Sequence, residues 1–249
     1  KSIDESFYGS SSMLNLLFIF LFEKFFSKNK KIFNVIYLME NQPWEKAFLV
    51  AWKRNNHGRS IGYSHTTVNY WHLNYFKSKN YYKPKISNLE KNYLPDKIAV
   101  AGKSAYNFFK KQGIPNNKLI KVESLRYNWL ESQSKTQKTY NNKVLILGDY
   151  DDQYNIKLLN IIEKIKVKIN NNQKYDFYFK PHPASNINVI KNMSKKYIEY
   201  KEIKNIYNKY SIVISSNSTS APLEFAKSST NIIIFLDKRK LNLSPFKKI

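Results

Sequence analysis

Cysteine is absent from the chain, which removes disulfides, thiolate zinc sites and cysteine nucleophiles together. A cysteine-free chain suits a reducing compartment, so the cytoplasm is the expected location. Histidine is scarce, with four residues, and so is proline, with eight. Acidic residues number 18 against 42 Lys and Arg, leaving a formal charge of +24. Such an excess ordinarily points to nucleic acid or an anionic membrane. Here the lysines are spread along the chain among Asn, Ile and Tyr, as in "KNKKIFN" and "KIKVKINNNQKYDFYFK", which is a compositional bias rather than a patch. No ribonucleoprotein motif, zinc finger or helix-turn-helix signature accompanies it, so nucleic acid is not expected as a partner. Attraction to anionic lipid or anionic sugars stays open, with peripheral contact at the cytoplasmic face of the membrane as its form.

Also missing are a Walker A loop, a GxSxG elbow and a complete GxGxxG fingerprint. That disfavours phosphate loops of the kinase kind, α/β-hydrolase chemistry and a standard dinucleotide site. The most apolar stretch, "MLNLLFIFLFEKFF" from Met13 to Phe26, is shorter than the roughly 20 residues that cross a bilayer. It lacks the basic start and small-residue cleavage site of a signal peptide. A buried helix of the first domain is the expectation, with an interfacial membrane helix as the alternative. Both ends of the chain are abrupt and read as those of a piece of a longer protein.

What is present is a chain of 249 residues, 42% hydrophobic, enough for sizeable cores. Continuous apolar runs of strand length alternate with helical patterns. "FNVIYLM" (Phe33 to Met39), "RSIGYSH" and "KIAVAG" (Lys97 to Gly102) predict strands, and "PWEKAFLVAWKRNN" a helix with Pro43 at its start. The polar stretch Glu131 to Lys143 reads as a linker. Beyond it "VLILGD", "YDFYF", "SIVISS" and "NIIIFL" predict strands and "NIKLLNIIEKIKVKI" a helix. The expectation is an α/β chain of two halves, 1–135 and 143–249, each with a parallel sheet covered on both faces. In such sheets ligands sit beyond the carboxyl ends of the strands. The unusual stretches fall there: "ENQPWE", "HTTVNYW", "GDYDD", "KPHPAS" and "SSNSTSAP".

Each stretch has a functional and a plainer reading. "SSNSTSAPLEFA" offers Ser215, Ser216, Ser218 and Thr219 at the predicted start of a helix, suited to phosphate; a simple N-cap needs only one hydroxyl. In "KPHPAS", Lys180 and His182 between two prolines form either a rigid turn or a second jaw of that anion site. "ENQPWEKA" carries Glu40 and Glu45, and "GYSHTTVNYWHLNYF" carries His65 and His72. A carboxylate or imidazole at a strand end can act as general base toward a hydroxyl, with Tyr70, Trp71 and Tyr75 stacking on a sugar. The plainer reading of Glu45 is a first-turn acid. Gly148 and Asp149 of "GDYDD" are counted with the nucleotide site. The acids Asp149, Asp151 and Asp152 lack the ligand spacing of an EF-hand, so no metal site is expected.

From Tyr37 to Phe76, and then through "PDKIAVAG", "VESLRY", "LILGDY", "KPHPA" and "LNLSPF", the chain resembles a family of bacterial surface carbohydrate (O-antigen or capsule) biosynthesis proteins. More distantly, the HP dipeptide paired with a Ser/Thr-rich loop resembles the nucleotide-binding half of sialyltransferases and Kdo transferases. Those enzymes use CMP-activated sugars on a GT-B fold, two Rossmann-like domains facing a cleft. The resemblance implies a glycosyltransferase, truncated at both ends here, that moves an ulosonic acid from CMP to a glycan or lipid-linked glycan. Lys180, His182, Ser215, Ser216, Ser218, Thr219, Gly148 and Asp149 would then hold the nucleotide, and Glu40, His65 and Glu45 would supply the catalytic base. No resident cofactor or metal is implied. A CDP-glycerol glycerophosphotransferase and a noncatalytic glycan-binding scaffold are the alternatives on the same fold.

Overall fold

The computed structural model describes residues 3–68, 73–75, 93–133, 141–169, 175–186, 188, 197–237 and 241–246. Described residues through Ser124 form one compact unit, and those from Leu125 onward form a second. Each holds a four-stranded parallel sheet. The chain is α/β in both.

In the first unit β1 (Asn34–Leu38), β2 (Arg59–Ser64), β3 (Lys97–Ala101) and β4 (Leu119–Val122) lie side by side in sequence order. Parallel neighbours need a crossover between them. Helix α3 (Pro43–Arg54) carries the chain from β1 to β2, and α4 (Gly102–Lys111) carries it from β3 to β4. Strand β4 is too short and too polar, "LIKV", for its pattern alone to identify it. Val35 and Tyr37 of β1 pack against Phe48, Leu49 and Trp52 of α3. Met39, Ile98 and Val100 meet Tyr75, Phe109 and Ile114 in a separate cluster.

Ahead of β1 come α1 (Ile3–Tyr8) and α2 (Ser10–Lys28). The Met13–Phe26 run does form a helix, but it is not a buried one. Among the residues of α2 only Phe26 is buried, in edge-to-face contact with Phe48 and Trp52. Met13, Leu14, Leu16, Leu17, Phe20 and Leu21 are exposed. The reason is geometric: α2 packs on α3 along one stripe, through Phe22 and Phe26, and no described element covers the other side of this helix, which is apolar all round. No helix among the described residues is long and apolar enough to cross a membrane.

The second unit contains β5 (Lys143–Leu147), α5 (Asp152–Ile169), β6 (Asp176–Lys180), β7 (Ile212–Ser216) and β8 (Asn231–Phe235), ordered β6-β5-β7-β8. Strand β5 is central, and its side chains alternate between two cores as a period of two requires. Val144 and Ile146 face Leu158 and Ile162 of α5; Leu145 and Leu147 face Ile206, Tyr210 and Phe225. Coverage of both faces holds for β5 but not for the edge strands β1 and β8. Ile36 and Leu38 of β1 and Ile233 of β8 are exposed, because no described element lies over them.

The boundary between the halves also differs from the expected one. Leu125–Leu130 belongs with the second unit: Trp129 packs edge-on against Tyr207, and Lys227 Nζ donates to the Leu130 carbonyl at 2.8 Å. Buried Leu130 and Trp129, which packs on the second unit's core, outweigh the segment's closeness in sequence to β4.

Candidate functional site

In the first unit, β1 and β2 end beside each other, with Leu38 registered against Tyr63. Glu40 and His65 follow those ends, and the His65 Nε2 to Glu40 Oε1 distance is 3.6 Å. Their side chains are 43% and 34% exposed, so both ring and carboxylate reach solvent. The other ring nitrogen, His65 Nδ1, is buried without a hydrogen-bond partner. The pair therefore stands just beyond hydrogen-bond contact, with a proton acceptor at the surface.

The loop that presents Glu40 is built by Glu45. Its carboxylate accepts three backbone N–H groups, from Glu40 at 2.8 Å, Asn41 at 3.1 Å and Gln42 at 3.0 Å. Asn41 takes the left-handed conformation, φ 59°, that turns these amides inward, and its side chain donates to the Asn74 carbonyl at 2.9 Å. Pro43 opens α3 at a position whose N–H is not needed. Burial pushes the Glu45 carboxyl up from its ordinary value, against the pull of the three amides. Glu45 is thus a buried clamp and a helix cap, not a base open to substrate. Tyr75 is likewise removed from the sugar-stacking role: it is buried, edge-on to Phe109, and its hydroxyl donates to the Met39 carbonyl at 2.8 Å. Tyr70, Trp71 and His72 lie outside the described residues.

In the second unit the strand order reverses at β5, since β6 lies on one side of it and β7 on the other. A reversal of this kind opens a crevice beyond the carboxyl ends of the strands, where ligands of open α/β sheets bind. Gly148 and Asp149 leave β5 there, Lys180 to Ser185 leave β6, and Ser215 to Thr219 close β7. Gly148 lets two loops approach. A Cβ on it would lie 2.9 Å from Phe179 Cζ and 3.1 Å from both His182 N and Lys180 O.

The KPHP turn is pinned by its own histidine. Ala184 N donates to His182 Nδ1 at 3.1 Å, and Ser185 donates to the His182 carbonyl through both its amide and its hydroxyl. With Nδ1 accepting, the neutral ring carries its proton on Nε2. The exposed Tyr150 ring stands 6.5 Å away, edge to face, and is an aromatic surface that the sequence reading passed over. Lys180 Nζ donates to the Lys201 carbonyl at 2.6 Å, leaving two of its three hydrogens. Burial lowers the Lys180 pKa, opposed by Glu199 and Glu224.

The serine run is committed differently from the phosphate reading. Ser215 is buried and donates to the Ser216 carbonyl. Ser216, at 2.5 Å, and Ser218 both donate to Asp149 Oδ2. A hydroxyl has one hydrogen to give, so these three have none left for an anion, and the buried Asp149 carboxylate adds negative charge beside them. Asp149 is a tie between β5 and β7, held further by Asn155, whose amide donates to its carbonyl at 2.8 Å. Nor does the predicted helix follow: Ala221–Phe225 is a five-residue 3-10 turn. Thr219 alone keeps a hydrogen for a ligand among the four, its oxygen accepting from Ala221 N.

Of the other acids of "GDYDD", Asp151 is a local cap that accepts from Gln153 N and Tyr154 N at the start of α5, whereas Asp152 accepts from Asn186 N just after the KPHP turn. Two charged residues near Lys180 gave no signal in sequence. Glu224 sits inside the 3-10 turn, its carboxyl pushed up by burial and drawn back by Arg126, whose guanidinium is 3.8 Å away. Their partnership joins segments about one hundred positions apart and follows from no local pattern.

Comparison with known protein families, curated proteins and solved structures finds no match.

Proposed function

We propose that the chain transfers a sugar from a nucleotide-activated donor to a hydroxyl of a glycan acceptor, using a GT-B-like pair of Rossmann-like units. The donor we favour is a CMP-linked ulosonic acid, on the resemblance set out above. The observation that carries the reading is the β5/β7 reversal point, with His182, Lys180 and Thr219 as donors of hydrogen around it. His182 Nε2–H and the ammonium of Lys180 suit the phosphate of a departing nucleotide, whose developing charge fixed donors stabilise.

In the first unit, Glu40 is assigned as the base that takes the proton of the acceptor hydroxyl. His65 stands beside that carboxylate, its Nε2 3.6 Å from Oε1. Glu45 positions Glu40 and touches no substrate. Asp149, Ser216 and Ser218 hold the β7 loop in place, and Gly148 admits the KPHP turn beside it.

A thermal-shift series with CMP, CDP, UDP and GDP tests the donor side, since a ligand of the folded state alone raises the unfolding temperature. Stabilisation by CMP, lost in His182→Ala, is expected. No response to any of the four removes the reading and leaves a noncatalytic glycan-binding scaffold. Release of CMP from CDP-glycerol, rather than from a CMP-sugar, would assign a glycerophosphotransferase instead.

A further inference from the structure

The exposed side of α2 is a feature that the transfer reaction does not use. Met13, Leu16, Leu17, Phe20 and Leu21 recur at the three- and four-residue spacing of one helical face. Met13 is 69% and Phe20 70% exposed. Between Phe7 and Phe22 there is no charged residue. Lys24 and Lys28 then continue the same face, four and eight residues beyond Phe20, and both are exposed, as are Lys30 and Lys31 after the helix. The helix is 19 residues long, about 28 Å. Its inner stripe is already occupied: Phe22 and Phe26 stack with each other and meet Phe48 edge-on. The free face is therefore apolar over its first three turns and cationic at its carboxyl end.

We infer that this face docks on an anionic lipid surface, with Met13 to Leu21 seated among the acyl chains at the headgroup boundary and Lys24 and Lys28 on lipid phosphates. Charge chooses this occupant. A second copy would bring the same lysines and the same +24 net charge to the contact, which opposes self-association, whereas an anionic leaflet attracts both. Each lysine near such a surface strengthens binding by about fivefold. Too short in its apolar run to span, the helix lies in the interface instead. The inference rests on the first unit alone and not on the transfer reaction.

Flotation of the 249-residue chain with vesicles tests it, using phosphatidylcholine alone and a two-to-one mixture with phosphatidylglycerol. Binding to the mixture and not to phosphatidylcholine is expected. L17S/F20S should weaken it by about tenfold or more, and K24Q/K28Q by about thirtyfold. The charge-matched K103Q/K110Q on α4 should weaken it far less. All of these positions are exposed, so each variant should keep the wild-type urea midpoint. The inference is overturned if the chain ignores the anionic vesicles, if L17S/F20S binds as well as wild type, or if K103Q/K110Q matches K24Q/K28Q. It is equally overturned if sedimentation without lipid shows a dimer that L17S/F20S dissociates, since the face would then belong to a second copy.

Discussion

Glu40 and Glu45 share one loop, and what separates them is where their carboxylates find hydrogens. Glu45 Oε1 and Oε2 take the amides of Glu40, Asn41 and Gln42, while Glu40 faces solvent beside His65. Glu45→Ala should therefore cost about 2 to 4 kcal/mol in urea unfolding, from three part-buried amides left without a charged acceptor. Glu40→Gln should leave the urea midpoint within about 0.5 kcal/mol while lowering transfer by about a hundredfold. The reverse pattern would exchange the roles assigned to them. A third carboxylate, Glu199, contributes stability that depends on pH. Burial alone would raise the Glu199 carboxyl, but hydrogen bonds from Lys209 Nζ at 2.8 Å, Tyr210 Oη at 2.6 Å and Lys201 N outweigh it and hold the pKa at about 2. The folded value lies below the unfolded one, so this contribution is complete above the ordinary glutamate range and is lost as pH falls from there through about 2. Tyr210→Phe should reduce stability by about 1 to 3 kcal/mol at pH 7, and the loss should shrink in urea titrations run toward pH 2. A loss independent of pH would mean that Tyr210 acts by its ring alone.

At the scale of elements, α2 is held by a single stripe, so its contribution to stability is concentrated. Phe26 touches Phe48, Trp52 and the His57 ring, and His57 donates from Nε2 toward the Phe26 carbonyl at 3.3 Å while its Nδ1 accepts from Ile32 N. Phe26→Ala should cost about 3 to 5 kcal/mol, against less than about 0.5 for Leu17→Ser on the open face of the same helix. Equal costs would show that the outer face is covered. The amphipathic spacing of α3 and α5 marked which side of each is buried. The spacing of α2 could not, because both of its faces are apolar and only the position of α3 decides which is inside. The same holds for the loop after β7: "SSNSTSAPLEF" has the composition of a capped helix start, yet the ties from Ser216 and Ser218 to Asp149 stop the chain in a 3-10 turn.

The molecule as a whole consists of two units with separate cores, one centred on β3 and α3 and the other on β5. Cores that share no buried residues unfold with limited cooperativity. Calorimetry should give a total enthalpy above the van't Hoff value, and Leu145→Ala, at a fully buried position of β5, should lower one component by about 2 to 5 kcal/mol and leave the other in place. A single transition displaced as one would refute this division. The excess of 24 positive charges makes anion binding salt-dependent at every site, so nucleotide and vesicle titrations should both weaken as ionic strength rises.

From the sequence by itself came the α/β class, most of the strands, the helices α3 and α5, and the placement of the unusual residues at carboxyl ends of parallel strands. These follow from local periodicity and from the crossovers that parallel strands require, both of which are properties of short stretches. Tertiary structure alone decided which polar groups remain free. Glu40 lies beside His65 across 25 positions and Ser216 donates to Asp149 across 67, and such distant pairings, which no short stretch reveals, determine whether the Ser216 and Ser218 hydroxyls keep their hydrogens for a ligand or give them to the fold.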